Sequence, residues 1–255
     1  MRSTSAAATG KAVNNAHPQS PALCDRPALV LLDAYGTLFA PVSYGSPVVR
    51  LCQLLAADGV HVDPKSAERA LFAEIRLYRE RFPYIRDQQE LGQLELAASD
   101  VMLAELAIKQ FPRKRMRQHL LDLFRLEVFS DVNPALGRLQ ERRLALGVVS
   151  NFNAMLGDYL AQLDLKEWFS VVVCSADVGV TKPDPVIFHA AIKQLGMQPE
   201  QAIYVGDDLH NDYHGARQAG LHAVWLNRDG APTPEGVRSI TTLAELPGLL
   251  GHENS

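Results

Sequence analysis

The feature that most constrains the fold is a series of short apolar runs that alternate with helical patterns along the chain. The runs have the length of β-strands and lie at residues 28–32, 144–149, 170–174, 202–205 and 222–226. Helical patterns separate the later runs, at residues 133–143, 154–163, 185–195 and 211–219. Apolar strands that alternate with helices are typical of a parallel sheet covered by helices on both faces. We therefore predict an α/β fold with a parallel-sheet core.

The first two runs are too far apart for a single crossover connection. Asp33 and Ser150 are 117 positions apart, whereas one strand–helix–strand unit needs about 30 residues. The interval holds helical patterns at residues 46–58, 66–81, 88–110 and 113–125, and no strand signal of comparable strength. We predict an inserted helical domain at residues 45–126, between core segments 27–44 and 127–255.

The first 26 residues differ from the rest of the chain. Ala, Ser, Thr, Asn and Pro dominate, and no acidic residue precedes Asp25. This composition predicts a disordered tail. An organelle transit peptide is the alternative, since such segments are rich in Ser and poor in acids, but Arg2 and Lys11 are the only basic residues before Asp25.

Composition and charge argue against several classes of protein. The net charge of −4 does not favour nucleic-acid binding, and no apolar run approaches the roughly 18 residues of a membrane helix. The three cysteines form no CxxC pair, which argues against a structural zinc site and for a reducing compartment. We expect a cytoplasmic protein with neither a nucleic-acid nor a membrane partner.

Polar motifs follow four of the predicted strands. In chain order they are Asp33-Ala-Tyr-Gly-Thr-Leu38, Ser150-Asn151, Lys182-Pro-Asp-Pro185 and Gly206-Asp-Asp-Leu-His-Asn-Asp212. The site of such a sheet lies at the carboxyl ends of its strands, so we expect Asp33, Ser150 and Asp207 to lie close together. Lys182 can supply a fixed cation for a phosphoryl group, and Ser150 and Thr37 can supply donors. Asp33 and Asp207 can share one Mg²⁺ through hard oxygen ligands.

Together these motifs resemble those of the haloacid dehalogenase-like hydrolases, over residues 28 to about 230. The resemblance implies a Rossmann-like core, a helical cap at residues 45–126 and a covalent nucleophile at Asp33. It implies a Mg²⁺-dependent phosphatase that forms an aspartyl-phosphate from a small phosphorylated metabolite. The implied catalytic residues are Asp33, Lys182 and Thr37, and the implied phosphate-binding residues are Thr37, Ser150, Asn151 and Lys182. The implied metal ligands are Asp33, Asp207, Asp212 and the carbonyl of Tyr35, with Asp208 or Asp212 binding the metal's waters or orienting Lys182.

The chain departs from the family pattern at Tyr35, where the phosphatases have a second aspartate that acts as general acid and base. Two alternatives follow from this departure. One is a 2-haloacid dehalogenase-type hydrolase, in which Asp33 displaces halide without a metal. The other is a catalytically weak protein that binds phosphate or a partner. The acidic motif at Gly206–Asp212 favours the phosphatase, since a dehalogenase has no use for a metal site.

Overall fold

The computed structural model describes residues 27–42 and 46–250, so the predicted tail at residues 1–26 lies outside the described residues. The described strands are β1 (Leu29–Leu32), β2 (Phe39–Pro41), β3 (Leu126–Val128), β4 (Ala145–Ser150), β5 (Val171–Cys174), β6 (Ala202–Gly206), β7 (His222–Leu226) and β8 (Ser239–Ile240). Six of them form a parallel sheet in the order β5-β4-β1-β6-β7-β8. The α/β fold is confirmed, and each of the five predicted strands lies within one residue of its apolar run.

Ten α-helices lie in the same described ranges. They are α1 (Pro47–Ala57), α2 (Pro64–Arg81), α3 (Gln88–Glu105), α4 (Arg113–Leu123), α5 (Val132–Glu141), α6 (Leu156–Gln162), α7 (Ser175–Val178), α8 (Pro185–Leu195), α9 (Gly215–Gln218) and α10 (Leu246–Leu249). A π-helical turn at Leu209–His214 precedes α9. Short 3₁₀ turns lie at Phe82–Tyr84, Lys166–Trp168, Pro199–Gln201 and Leu243–Glu245. No helix in residues 27–42 and 46–250 is both long enough and apolar enough to cross a membrane.

Apolar side chains cover both faces of the sheet, because successive residues of a strand point to opposite sides. In β1, Val30 and Leu32 pack with the buried residues of α5 and α6. Leu29 and Leu31 pack on the other face with those of α8 and α9. Every residue of β1 is fully buried. This two-sided burial fixes the central strand that leads to Asp33.

The helices α1 to α4 form a separate helical module (residues 47–123) with an apolar core of its own. Asp63 and Asp87 start α2 and α3, since their carboxylates accept the amides of Ser66 and Glu90 at 3.0 and 2.8 Å. The third helix ends at Glu105, five residues before its predicted end. Ala107 takes a positive φ of 54°, which a right-handed helix cannot accommodate.

A short antiparallel pair of strands, β2 with β3, lies where the chain enters and leaves the helical module. Neither this pair nor β8 was predicted from the sequence.

Contacts along the segment after α2 also join the module to the core. The Phe82 ring packs on Phe152 at 4.8 Å between centroids, and Ser175 Oγ donates to the Pro83 carbonyl at 2.8 Å.

Candidate active site

Asp33 lies directly after β1, at the carboxyl edge of the sheet. Its amide donates to the carbonyl of Val205 on the neighbouring β6 at 2.9 Å, so the chain leaves the sheet in a fixed direction. The next residues form a tight turn around the Ala34 carbonyl, which accepts the amide of Leu38 at 2.8 Å. Gly36 takes a φ of +83° in this turn, a conformation that glycine adopts without strain. The carboxylate of Asp33 is buried at the centre of the site.

Lys182 lies on the loop before α8 and contacts Asp33 directly. Its Nζ donates to Asp33 Oδ1 at 2.6 Å, to Asp212 Oδ1 at 2.6 Å and to the Tyr204 hydroxyl at 2.9 Å. These three acceptors use all three ammonium protons. Burial alone would lower the pKa of Lys182, but the carboxylates of Asp212 and Asp33 raise it above its ordinary value. The structure therefore holds a permanent cation beside Asp33.

Asp207 follows β6 and faces the turn after Asp33. Thr37 Oγ1 donates to Asp207 Oδ1 at 3.1 Å. A Cβ at Gly36 would lie 2.4 Å from Asp207 Oδ2, a separation that real side chains do not show. The missing side chain at Gly36 thus allows the turn to lie against the Asp207 carboxylate. On the backbone side, the indole of Trp225 donates to the Asp207 carbonyl at 2.8 Å.

Asp212 lies in the π-helical turn that follows β6, and both of its oxygens have protein partners. Oδ1 accepts from Lys182, and Oδ2 accepts the amide of Asp208 at 2.9 Å. Asp208 caps the start of the turn instead, accepting the amides of His210 and Asn211 at 2.8 Å each. Of the two acids left open by the sequence, Asp212 is the one that orients Lys182.

The three carboxylates of Asp33, Asp207 and Asp212 lie close together, with one oxygen of each within 4.8 Å of the others. Within residues 27–42 and 46–250, the one cation that forms ion pairs with this cluster is the buried Lys182. Asp207 is exposed at the edge of the site, but desolvation and the charges of Asp33 and Asp212 raise the pKa of its carboxyl group to about 7. Burial raises the pKa of Asp212 to about 6, against the opposing effect of Lys182. The cluster carries more negative charge than its lysine can balance.

This donor set fits a hard divalent cation. Carboxylate oxygens are the ligands that Mg²⁺ prefers, and three carboxylates beside one ammonium leave two negative charges to be balanced. A side chain at Gly36 would displace the Asp207 carboxylate from this cluster, so glycine at this position preserves the donor set.

Ser150 is the last residue of β4, the other neighbour of β1, and Asn151 follows it. Ser150 is buried at the strand end. The Asn151 side chain lies against the backbone of Lys182, because its Oδ1 accepts the Lys182 amide at 2.6 Å and its Nδ2 donates to the Lys182 carbonyl at 3.1 Å. The side chain of Asn151 therefore positions the lysine loop.

Tyr35 has a half-exposed side chain on the side of the site that faces the helical module. Partial burial, followed by the charges of Asp207 and of Glu74 on α2, raises the pKa of the Tyr35 phenol. Burial raises the pKa of Glu74 itself to about 7. The charge of Glu74, a buried residue of the helical module, thus contributes to the raised pKa of the Tyr35 phenol.

The sequence analysis missed Tyr204, the third partner of Lys182. It is fully buried in β6, and its hydroxyl accepts from Lys182 and donates to the Val149 carbonyl at 2.7 Å. A signal was present, since the strand Ala202-Ile-Tyr-Val-Gly206 contains one hydroxyl among apolar residues. A buried tyrosine hydroxyl needs a hydrogen-bond partner, and Lys182 is that partner.

Comparison with known proteins identifies a matching family model and relatives with similar sequences. A family model described as haloacid dehalogenase-like hydrolase matches residues 68–226. A Danio rerio protein named haloacid dehalogenase-like hydrolase domain-containing protein 3 is 39% identical over 132 residues, which are 49% of this chain and 54% of that protein. The Methanopyrus kandleri glyceraldehyde 3-phosphate phosphatase is 29% identical over 204 residues, covering 78% of this chain and 83% of the relative.

Solved structures share the fold as well. The structure of a HAD phosphatase from Thermococcus onnurineus has a TM-score of 0.61 and 27% identity, covering 89% of this chain and 99% of that one. A 2-haloacid dehalogenase from Pseudomonas syringae pv. Tomato DC3000 has a TM-score of 0.57 and 25% identity, with coverages of 88% and 98%. Similar folds therefore occur in proteins named for two different reactions.

Proposed function

The chain belongs to the haloacid dehalogenase-like hydrolases, and from this premise we propose that it is a Mg²⁺-dependent phosphatase. Its substrate would be a small phosphorylated metabolite, and the reaction would pass through an aspartyl-phosphate on Asp33. The observation that carries the proposal is the cluster of the Asp33, Asp207 and Asp212 carboxylates, in which the buried Lys182 contacts Asp33 and Asp212. A phosphoryl group is polyanionic, so a site for it needs cations beyond Lys182.

Asp33 is the proposed nucleophile. Lys182 holds its Oδ1, so Oδ2 is the oxygen that would attack phosphorus, and the leaving group would depart as an alkoxide or phenolate with the electrons of the broken P–O bond. Water would then attack the aspartyl-phosphate, which releases inorganic phosphate and restores the Asp33 carboxylate. Lys182 also lies where it can offset the charge of the transferred phosphoryl group. Thr37 and Ser150 would donate to the phosphoryl oxygens, and the Thr37 hydroxyl would give up its hydrogen bond to Asp207 to do so.

Asp33, Asp207 and the carbonyl of Tyr35 would hold Mg²⁺, and Asp212 would bind the ion through water while it orients Lys182. When bound, the ion supplies positive charge that lets a carboxylate approach a phosphate dianion. Asn151 would contribute to phosphate binding by positioning the lysine loop. The inserted domain at residues 45–126, which contains the helical module, would be the cap over this site, between core segments 27–44 and 127–255.

Metal removal tests the proposal. We expect chelation to lower hydrolysis of para-nitrophenyl phosphate at least about 100-fold, because a dianion is then opposed by uncompensated carboxylates, and Mg²⁺ should restore the rate. Asp207→Asn should lose activity in the same way. Asp208→Asn is the matched control, since the Asp208 carboxylate accepts the amides of His210 and Asn211 at the start of the π-helical turn, and an asparagine can accept the same amides.

A 2-haloacid dehalogenase remains the second candidate, because Tyr35 stands where the phosphatases have an acid and a dehalogenase shares the fold. The same preparation should therefore be offered 2-chloropropionate with and without chelator. Full turnover of the haloacid in chelator, with no hydrolysis of the aryl phosphate in Mg²⁺, would replace the phosphatase with the dehalogenase.

Tyr35 predicts a preference among leaving groups. A positioned general acid contributes about 10²–10⁴ in rate, and a phenol with a raised pKa donates its proton poorly. The phenolate of an aryl phosphate and the carboxylate of an acyl phosphate are leaving groups that need no proton from an acid. We therefore expect these substrates to be hydrolysed at least about 100-fold faster than an alkyl phosphate such as glycerol phosphate. Tyr35→Asp should raise the alkyl rate at least about tenfold, measured as phosphate release in saturating Mg²⁺.

Tyr84→Asp is the control for this substitution, since Tyr84 is as exposed as Tyr35 but lies in the helical module. Equal alkyl and aryl rates in the wild type would mean that another group supplies the proton. Glu74 would then be the first residue to replace, because its carboxyl group is buried, acts on the Tyr35 phenol and has a pKa of about 7.

A further inference from the structure

Arg228 follows β7, and its guanidinium contacts the turn after Asp33. Its Nη2 donates to the Thr37 carbonyl at 2.8 Å, and its Nε donates to the Gly36 carbonyl at 3.3 Å. A guanidinium is planar and rigid, so its donors fix the two carbonyls relative to one another. Arg228 therefore holds the backbone of the turn at two successive residues.

Arg228 is itself fixed by groups outside the candidate site. Asp131 accepts from Nη1 at 3.0 Å and from Nη2 at 3.2 Å, and the guanidinium lies 3.9 Å from the centre of the Phe129 ring. Asp131 is held in turn by the Thr242 hydroxyl at 2.6 Å and the Leu243 amide at 2.7 Å. Because Asp131 balances its charge, Arg228 acts on the turn through its hydrogen bonds.

Gly36 and Thr37, the two residues that Arg228 holds, both lie against the carboxylate of Asp207. Thr37 donates its hydroxyl to Asp207 Oδ1 at 3.1 Å, and Gly36 lies so close that a Cβ would meet Oδ2 at 2.4 Å. A shift of the turn would therefore move the Asp207 carboxylate or break its hydrogen bond to Thr37. The position of this carboxylate depends on a chain of contacts that begins at Asp131.

We propose that Arg228 is a positioning residue for the metal ligand Asp207, and that it sets the affinity of the site for Mg²⁺ through Gly36 and Thr37. The inference rests on the proposed function, since it needs Asp207 to be a ligand. Groups that orient metal ligands typically contribute about 10–100-fold to metal affinity. Arg228 acts through the backbone and does not itself contact the ion.

The test measures Mg²⁺ binding directly, without substrate. Mg²⁺ is titrated into the metal-free protein by calorimetry, with the fluorescence of Trp225 as a second signal because its indole binds the Asp207 carbonyl. We expect Arg228→Met to raise the Kd about 10–100-fold. In hydrolysis of para-nitrophenyl phosphate, excess Mg²⁺ should restore most of kcat, which a loss of folded protein would not allow.

Arg115→Met is the matched control. Its guanidinium is also bound by a carboxylate, that of Asp58 at 2.7 and 2.9 Å, but both residues belong to the helical module. Its Kd should equal that of the wild type. Arg228→Lys keeps the charge without the planar fork, so its Kd should rise severalfold, and it replaces Arg228→Met in the test if the latter does not fold.

The possible results distinguish a failure of the role proposed for Arg228 from a failure of the proposed phosphatase function. An unchanged Kd in folded Arg228→Met or Arg228→Lys, with Mg²⁺ binding intact in the wild type, overturns the role of Arg228 and leaves the phosphatase standing. Absence of Mg²⁺ binding in the wild type overturns both. An equal rise in Arg115→Met would assign the effect to general loosening of the fold and also overturn the inference.

Discussion

Asp33→Asn is expected to lower the hydrolysis of para-nitrophenyl phosphate by at least about 10⁴-fold while the protein stays folded. An amide is a far weaker nucleophile than a carboxylate, and loss of a covalent nucleophile commonly costs enzymes several orders of magnitude. The substitution preserves shape, and Lys182 keeps Asp212 and Tyr204 as partners. Initial rates in saturating Mg²⁺, with circular dichroism as the test of folding, measure the effect.

The covalent step has a direct signature. Acid quench of the wild type during turnover should leave a fraction of the protein heavier by one phosphoryl group in mass spectrometry, and Asp33→Asn should show none. Asp158→Asn is the matched control, because Asp158 is exposed on α6. Normal turnover by Asp33→Asn, or phosphoenzyme that persists in it, would assign the nucleophile to another residue.

Lys182→Met is expected to produce the largest loss of stability of any single change in the site. Removal of the ammonium leaves the carboxylates of Asp33 and Asp212 buried without their cation, and breaking a buried ion pair in this way costs about 3–5 kcal/mol. Activity should fall at least about 10²–10³-fold as well, because the transferred phosphoryl group loses its fixed cation. Urea unfolding in chelator measures the free energy of unfolding.

The loss of stability in Lys182→Met should increase as pH rises. In the wild type, burial raises the pKa of Asp212 to about 6 even though Lys182 lowers it, so without Lys182 this pKa must rise further. A carboxyl group with a raised pKa in the folded state stabilises the fold at low pH and loses that contribution as pH rises. The stability gap between variant and wild type should therefore be widest at alkaline pH and narrow as pH falls toward about 6, below which the Asp212 carboxyl group is protonated in both folded proteins.

Lys193→Met is the control for this variant, because Lys193 is exposed in the last turn of α8. It should unfold like the wild type at every pH. A Lys182→Met protein as stable as the wild type, or one whose deficit is the same at pH 4 and pH 8, would show that the buried ion pairs do not carry the stability of the site.

Much of the core could be predicted from local pattern. A strand buried on both faces must be apolar along its whole length, so β1 and β6 stand out in the sequence. The helical module has its own apolar periodicity and its own caps at Asp63 and Asp87. By contrast, β2 and β3 are three residues each and pair across the whole module. Such short strands carry no periodicity, and their pairing depends on where the module brings the chain ends.

The sequence by itself determined which strand ends carry Asp33, Ser150 and Asp207, because polar residues that end apolar strands must emerge at one edge of a parallel sheet. Only the tertiary structure decided that Asp212 orients Lys182, that Tyr204 accepts the third ammonium proton and that Arg228 holds the turn against Asp207. Those partners are 22 to 191 positions apart. Hydrogen bonds over such separations leave no periodic trace in a single sequence, because they arise only when packing brings distant segments within about 3 Å.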